Sequence, residues 1–522
     1  MMIKKTYTLL ALGLLWSGTA SAEVSSETKA LYKQHCSECH GASRLGGLGP
    51  ALLPGNLKRL RNKNAVKIIT SGRVATQMQG FGEVLSAEQI AGLAAYIYQP
   101  PAEVPVWGMA QTLASPVSHT PLSDLPDKPL HKADPLNLFT VVEAGDHHVT
   151  ILDGDKMEPL WRFPSRFSLH GGAKYSPDGR FMYLGSRDGW VSKYDLHSFQ
   201  IVAEVRAGIN TRNIAVSGDG RYIMVANYLP HTLTLLDASD LKPIKVFEVM
   251  SKDGKTSSRV SAVYAAPPRN SFVVALKDIP EIWEIDYSDD PRPVANGFIH
   301  NWRTGQEEGD IDFNLFPVRR VMLKEFLDDF FFDQTYEHVV GASRDGKSGQ
   351  VVNLDVGRKI ATIDLAGMPH LGSGITFEYQ GRPVLATPHL KEAAVSVIDM
   401  ENWQTIKKIK TLGPGFFMRS HDNTPYAWVD VFFGPDKDAL HVIDKRTLEI
   451  VKTIRPEPGK IGAHVEFDRY GKYALVSVWD MDGALVVYDA ATLEEVKRIP
   501  MKKPVGKYNV YNKITHSAGT SH

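Results

Sequence analysis

From about residue 138 onward, apolar and polar positions alternate in short runs that keep returning. Runs rich in Val, Ile, Tyr and Phe begin near 138, 181, 222, 271, 338, 384, 426 and 473, and most lead into a second run ending in Asp. Val149 to Asp153, Val191 to Asp195, Leu233 to Asp237 and Val351 to Asp355 share that shape, as do Val395 to Asp399, Leu440 to Asp444 and Leu485 to Asp489. Turn signals such as Pro177-Asp178-Gly179-Arg180 and Gly218-Asp219-Gly220-Arg221 precede some of the leading runs. Alternation marks half-buried strands, and strand pairs repeating every 40–50 residues predict a β-propeller rather than β-sandwiches. Eight units are counted, and the long interval from 271 to 338 holds an insertion.

The first hundred residues follow a helical period instead. Glu27 to His35 reads as a helix running into Cys36. A second helix is expected over 86–98, with Ser86 as N-cap, Gln89 three residues later and Ile90, Leu93, Ala94 and Ile97 on one face. Pro100, Pro101 and Pro105 end it, and a Pro-, Ser- and Asp-rich stretch continues to about 135. At the extreme N-terminus, Lys4-Lys5, the apolar Leu9 to Trp16 and the small Ala20-Ser21-Ala22 predict a cleavable export signal, too short to span a bilayer. No later stretch reaches the roughly 20 apolar residues of a spanning helix, so no membrane span and a periplasmic location are expected. The predicted plan is a signal peptide at 1–22 and an all-α domain at 23–100. A linker at 101–135 and an all-β eight-bladed propeller at 136–522 complete it.

Within 23–100, Cys36-Ser37-Glu38-Cys39-His40 reads as a covalent haem c attachment site, which makes this stretch an expected cytochrome c domain. Thiols three positions apart on a helical turn reach one haem edge, and His40 follows to ligate the iron. These are the chain's only cysteines, which excludes a structural disulfide. Met78, ahead of the second helix, is the expected sixth ligand, and a thioether there raises the haem potential. His35 is the weaker candidate. The 59 basic and 59 acidic side chains balance and form no basic block, which argues against a nucleic-acid partner.

Residues 26–100, with Gly49-Pro50 after the haem motif, resemble class I cytochromes c. A cytochrome c followed by an eight-bladed propeller resembles the cytochrome cd1 family. Trp107-Gly108-Met109, Ser168-Leu169-His170, Ser186-Arg187-Asp188, Asn210-Thr211-Arg212, Met368-Pro369-His370 and the tail Val505 to Asn512 carry the likeness along nearly the whole chain. The resemblance implies haem d1, or dihydro-haem d1, held non-covalently in the propeller. The nitrite-reducing members place two histidines above the d1 iron. His370 matches the second, whereas Phe326 to Asp333, where the first should fall, holds no histidine. The chain therefore more closely resembles the biogenesis branch, the dihydro-haem d1 dehydrogenases, which oxidise a propionate to an acrylate and pass the electrons to the covalent haem. A nitrite reductase and a non-catalytic haem d1 carrier are the alternatives.

By that resemblance, His464 or His170 ligates the d1-type iron and His370 is the base or distal ligand. Arg187 and Arg212 hold carboxylates of the macrocycle, a task that needs forked cations. His389, His421 and Trp479 are candidates to line the cavity, and Asp328-Asp329 reads as a lid or a partner patch. The expected partners are the tetrapyrrole substrate, a periplasmic electron acceptor and a cytochrome cd1 nitrite reductase as recipient of haem d1.

Overall fold

The computed structural model describes residues 24–47, 49–57, 60–72, 78–103, 105–169, 171–295, 303, 311–343, 348–365 and 367–515. The predicted export signal lies outside them. Four helices form the N-terminal unit: α1 (Ser26–His35), α2 (Ser37–His40), α3 (Asn62–Ser71) and α4 (Ala87–Ile97). Ser86 caps α4 with both hydrogen bonds of a capping box, and Ile90, Leu93, Ala94 and Ile97 are all buried as the period predicted. They pack on Tyr32 of α1 and on Ala65 and Ile69 of α3. Each fully buried aliphatic side chain of this kind is worth about 1.5–3 kcal/mol.

Eight antiparallel sheets follow. Blade 1 takes its three outer strands from Leu138–Glu143, His148–Asp153 and Glu158–Pro164, and its innermost strand from Pro504–Asn509 at the other end of the chain. Blades 2 to 8 occupy 174–206, 210–248, 260–322, 327–364, 375–410, 418–454 and 462–501 in order, each with its first strand innermost. The runs that begin near 138, 181, 222, 271, 338, 384, 426 and 473 are the second strands, buried on both faces by the neighbouring blades. The insertion lies in blade 4, where Val294–Ala295 pairs with Ile311–Asp312 before the outermost strand, Val318–Met322.

The stretch between the two units carries structure of its own. Val117–Ser118 adds a fifth strand to the outer edge of blade 2, after a short helix at Met109–Leu113. Trp107 donates from Nε1 to the Arg206 carbonyl at 2.9 Å, and the Arg206 guanidinium lies 4.5 Å from the indole centroid. The loop after the haem motif docks at the same place. Arg206 Nη2 donates to the Leu45 carbonyl at 2.5 Å, and Ala51 and Leu53 pack against Ile209.

Candidate active site at the propeller hub

The haem c site is local. Cys36 closes α1, α2 carries Cys39 and His40, and both thiols are free and half-buried. His40 is buried, and its Nδ1 bonds the Pro50 carbonyl at 2.8 Å, which leaves Nε2 for a metal. Burial pushes its pKa below the ordinary histidine value, so the imidazole is neutral and suited to ligation. A Cβ on Gly49 would come within 2.8 Å of the His40 ring, so only glycine lets this loop lie against it. Met78 packs on the helical core beside α3, and His35 rests edge-on against Phe81 at 5.7 Å. The residues present fit a covalently held haem.

The second site is assembled from all round the ring. Lys174 of blade 2 lies within electrostatic reach of Arg419 of blade 7 and Asp329 of blade 5. Arg212 of blade 3 also reaches Asp329, and Lys513 reaches Arg419, Glu466 and Lys174. Only side chains turned toward a common axis bring so many different blades together. Burial and the Arg419 cation lower Lys174 to about 8, and burial holds Lys507 and Lys513 well below the usual lysine range. Arg419 lies 3.5 Å from Glu466, yet its Nη1, like Glu466 Oε2, makes no hydrogen bond among the described residues. An arginine nitrogen without a hydrogen bond among the described residues, set beside Lys174, Lys507 and Lys513, suits a ligand bearing several carboxylates.

A second set of cations gathers round Tyr228. The guanidinium of Arg187 lies 5.9 Å from its ring centroid, with Arg259 and Lys277 each at 5.7 Å. Arg212 feels the same phenol and donates from Nε to the Ser261 carbonyl at 3.0 Å. Asp328 and Asp329 belong here and form no lid. They sit on the innermost strand of blade 5, Leu327–Phe332, where Asp328 accepts from Lys277 at 2.5 Å and Asp329 from the Tyr264 hydroxyl at 3.0 Å. A Cβ on Gly372 would strike the Asp329 carboxylate, so glycine admits that side chain beside the turn after His370.

Two histidines stand over this floor. His370 bonds the Phe416 carbonyl through Nδ1 at 2.8 Å, with the Phe416 ring 4.2 Å away. Burial lowers its pKa and Asp329 opposes the shift. His464 is buried between Phe417 at 4.7 Å and Tyr508 at 5.3 Å, and its Nδ1 has no hydrogen-bond partner among the described residues. Burial, followed by the charges of Lys507, Arg419 and Lys513, keeps it far below the ordinary histidine value. Both imidazoles are therefore neutral. Asp430 lies beneath them, pushed up to about 7 by burial although three backbone N–H groups pull it back.

Of the other expected residues, Trp479 joins the aromatic wall, 4.9 Å from Phe432. His389 is buried within blade 6 on the Ser396 hydroxyl at 2.8 Å, and His421 supports a turn against Gly471. His170 lies outside the described residues. Sequence reasoning missed Tyr508, Lys174, Arg419, Lys507 and Asp430. For Lys174, Arg419, Lys507 and Tyr508 the one sequence signal is a polar residue on an innermost strand, as in Gly506-Lys507-Tyr508, whereas Asp430 ends the second strand of blade 7.

Comparison with known proteins agrees with this division. The family described as Cytochrome D1 heme domain matches residues 133–513, and that described as Cytochrome C oxidase, cbb3-type, subunit III matches 25–97. A dihydro-heme d1 dehydrogenase of Pseudomonas aeruginosa is 54% identical over 98% of this chain and 99% of its own length. A nitrite reductase of Stutzerimonas stutzeri is 26% identical over 97% and 96%. A solved structure of the dihydro-heme d1 dehydrogenase NirN in complex with DHE superposes with a TM-score of 0.87 at 54% identity, covering 93% of this chain and 99% of that one. With a covalent haem motif on its helical unit and a cation-lined propeller hub, the chain belongs to the cytochrome d1 heme-domain family.

Proposed function

We propose that this chain is a dihydro-haem d1 dehydrogenase: it converts a –CH2–CH2–COO⁻ side chain of the tetrapyrrole to –CH=CH–COO⁻, releasing two protons and two electrons. The observation that carries this reading is that His370 and His464 face one hub lined by Lys174, Arg212, Arg419 and Lys513 from different blades. The extensive identity to a dehydrogenase supports it over nitrite reduction.

The two histidines are held differently, and this sorts their roles. His370, fixed through Nδ1 by a carbonyl, has the tether that metal-binding imidazoles commonly use, with Nε2 left free. His464, unpaired at Nδ1 and uncharged, can accept a proton, with a basicity lowered by burial and by the charges of Lys507, Arg419 and Lys513. Hydrogen bonding thus favours His370 as the ligand to the substrate's iron and His464 as the base, the reverse of the assignment by resemblance alone. Tyr508, pushed up to about 12 by burial, stays protonated beside His464 and can donate a hydrogen bond. Arg187, Arg212, Arg419 and the hub lysines would anchor carboxylates. The covalent haem, held by Cys36, Cys39, His40 and Met78, supplies one-electron steps for the two electrons released. The loop that follows its attachment motif meets the propeller at Arg206 and Ile209, on the side where such a haem would be held. A periplasmic site, an external electron acceptor and delivery of haem d1 to a cytochrome cd1 nitrite reductase in denitrification complete the reading.

Mass spectrometry of the bound tetrapyrrole tests it. Loss of two hydrogens in the presence of an electron acceptor is expected. Nitrite turnover without that loss would favour the reductase, and binding without change would leave a carrier.

A further inference from the structure

His464 occupies an unusual piece of backbone. In blade 8 its strand pairs Ala463 with Ser477 and Glu466 with Leu475, so two residues, His464 and Val465, oppose one, Val476. His464 is one of the two residues of this bulge, and its φ is +54°. A non-glycine residue is strained there, and bulges beside active sites serve to re-aim a side chain.

Both peptide groups of His464 are held by buried ionisable side chains. Its N–H donates to Asp430 Oδ2 at 3.3 Å, and its carbonyl accepts from Lys507 Nζ, which also donates to Ser477 Oγ at 2.9 Å. Asp430 and Lys507 are each 0% exposed. Burying a carboxylate and an ammonium is expensive, and among the described residues Lys507 donates to this carbonyl and to the Ser477 hydroxyl, with Glu466 and Asp430 in electrostatic reach. Asp430 does a second task with its other oxygen. Oδ1 accepts from the N–H groups of Phe416 at 2.7 Å and Phe417 at 3.0 Å. The Phe416 carbonyl fixes His370, and the Phe417 ring walls His464.

We propose that Asp430 and Lys507 are positioning residues that clamp the His464 bulge, and that Asp430 sets the aim of both hub histidines through two different oxygens. This rests on the dehydrogenase reading for its effect on rate, though the clamp itself is a property of the unloaded chain. Asp430→Asn sharpens the claim. Its amide oxygen can keep the Phe416 and Phe417 contacts, while its NH2 meets the His464 N–H donor to donor. Lys507→Met keeps the length and drops the donor.

In the full chain, ring-¹⁵N shifts of the histidine signal that vanishes in His370→Gln should keep the Nδ1–H form in Asp430→Asn and lose it in Asp430→Ala. With dihydro-haem d1 supplied anaerobically, Asp430→Asn and Lys507→Met should each lower kcat about tenfold or more with KM within about threefold, and should add little in a His464→Gln background, as groups acting through one another do. Equal losses with and without His464, or an Nδ1–H signal indifferent to Asp430→Ala, would overturn the clamp. A wild-type chain that never dehydrogenates the precursor overturns the functional reading instead, and the ¹⁵N result still decides the clamp.

Discussion

The two cofactor regions of this molecule are built on opposite plans. Haem c attachment uses five consecutive residues, Cys36 to His40, on one helical turn. The hub draws Lys174, Arg212, Asp329, Arg419, His464 and Lys507 from six different blades. The first site exists wherever its short helix forms. The second exists only when the whole ring is in register. One mutation can delete the first, whereas the second should lose function residue by residue, according to what each holds.

The largest effect should come from breaking the contiguous site. Cys39→Ser should abolish stable c-type absorbance and turnover with an external acceptor, yet leave tetrapyrrole uptake at the hub unchanged; optical titration of the purified variant checks both. Next is His464→Gln, expected to lower dehydrogenation about 100-fold, a usual share for general-base catalysis, with binding little altered in the same titration. His370→Ala should invert that pattern, weakening binding about tenfold and changing the optical spectrum of the loaded protein through loss of an axial imidazole. A full-rate His370→Ala with an unchanged spectrum would remove it from the site altogether.

Smaller effects sharpen the link between the regions. Arg206→Ala removes the donor to the Leu45 carbonyl and the cation over Trp107. Stopped-flow reduction of haem c should slow by about 2–5-fold while substrate affinity stays put, since docking geometry rather than hub chemistry has changed. The smallest expected effect is with pH. Protonation removes a base, and His464 is held well below 6.5, so its loss is displaced to acid. The fall that follows His464 itself should lie below about 6.5, on the acid side of the change near 7 that Asp430, the acceptor of its N–H, contributes; a His464 fall centred near 6.5 would mean an ordinary, exposed histidine.

The same contrast explains what the sequence disclosed. The second strands of the blades are long and doubly buried, so their starts were legible in all eight units; seven third strands were marked by runs ending in Asp, and the one at Glu281–Asp286 in blade 4 was not. The innermost strands were not. Lys174–Tyr175 has two residues and Met418–Ser420 three, and the strand at Gly462–Phe467 is broken by a bulge, so none shows clean alternation. Their hub-facing positions are charged, which reads in sequence as a surface strand. His370 and His464 were found through family likeness, and Lys174, Lys507 and Asp430 had no motif to announce them. Asp328-Asp329 looked like a lid because the pairing of Tyr264 and Lys277 with them spans some 50 to 65 residues.

The closing strand, Pro504–Asn509, is both the latch of the ring and the carrier of Lys507 and Tyr508. A chain stopped a few residues short of it would lose circular closure, the grip on the His464 carbonyl and the phenol beside that imidazole in a single stroke. Assembly and competence are thus the same event.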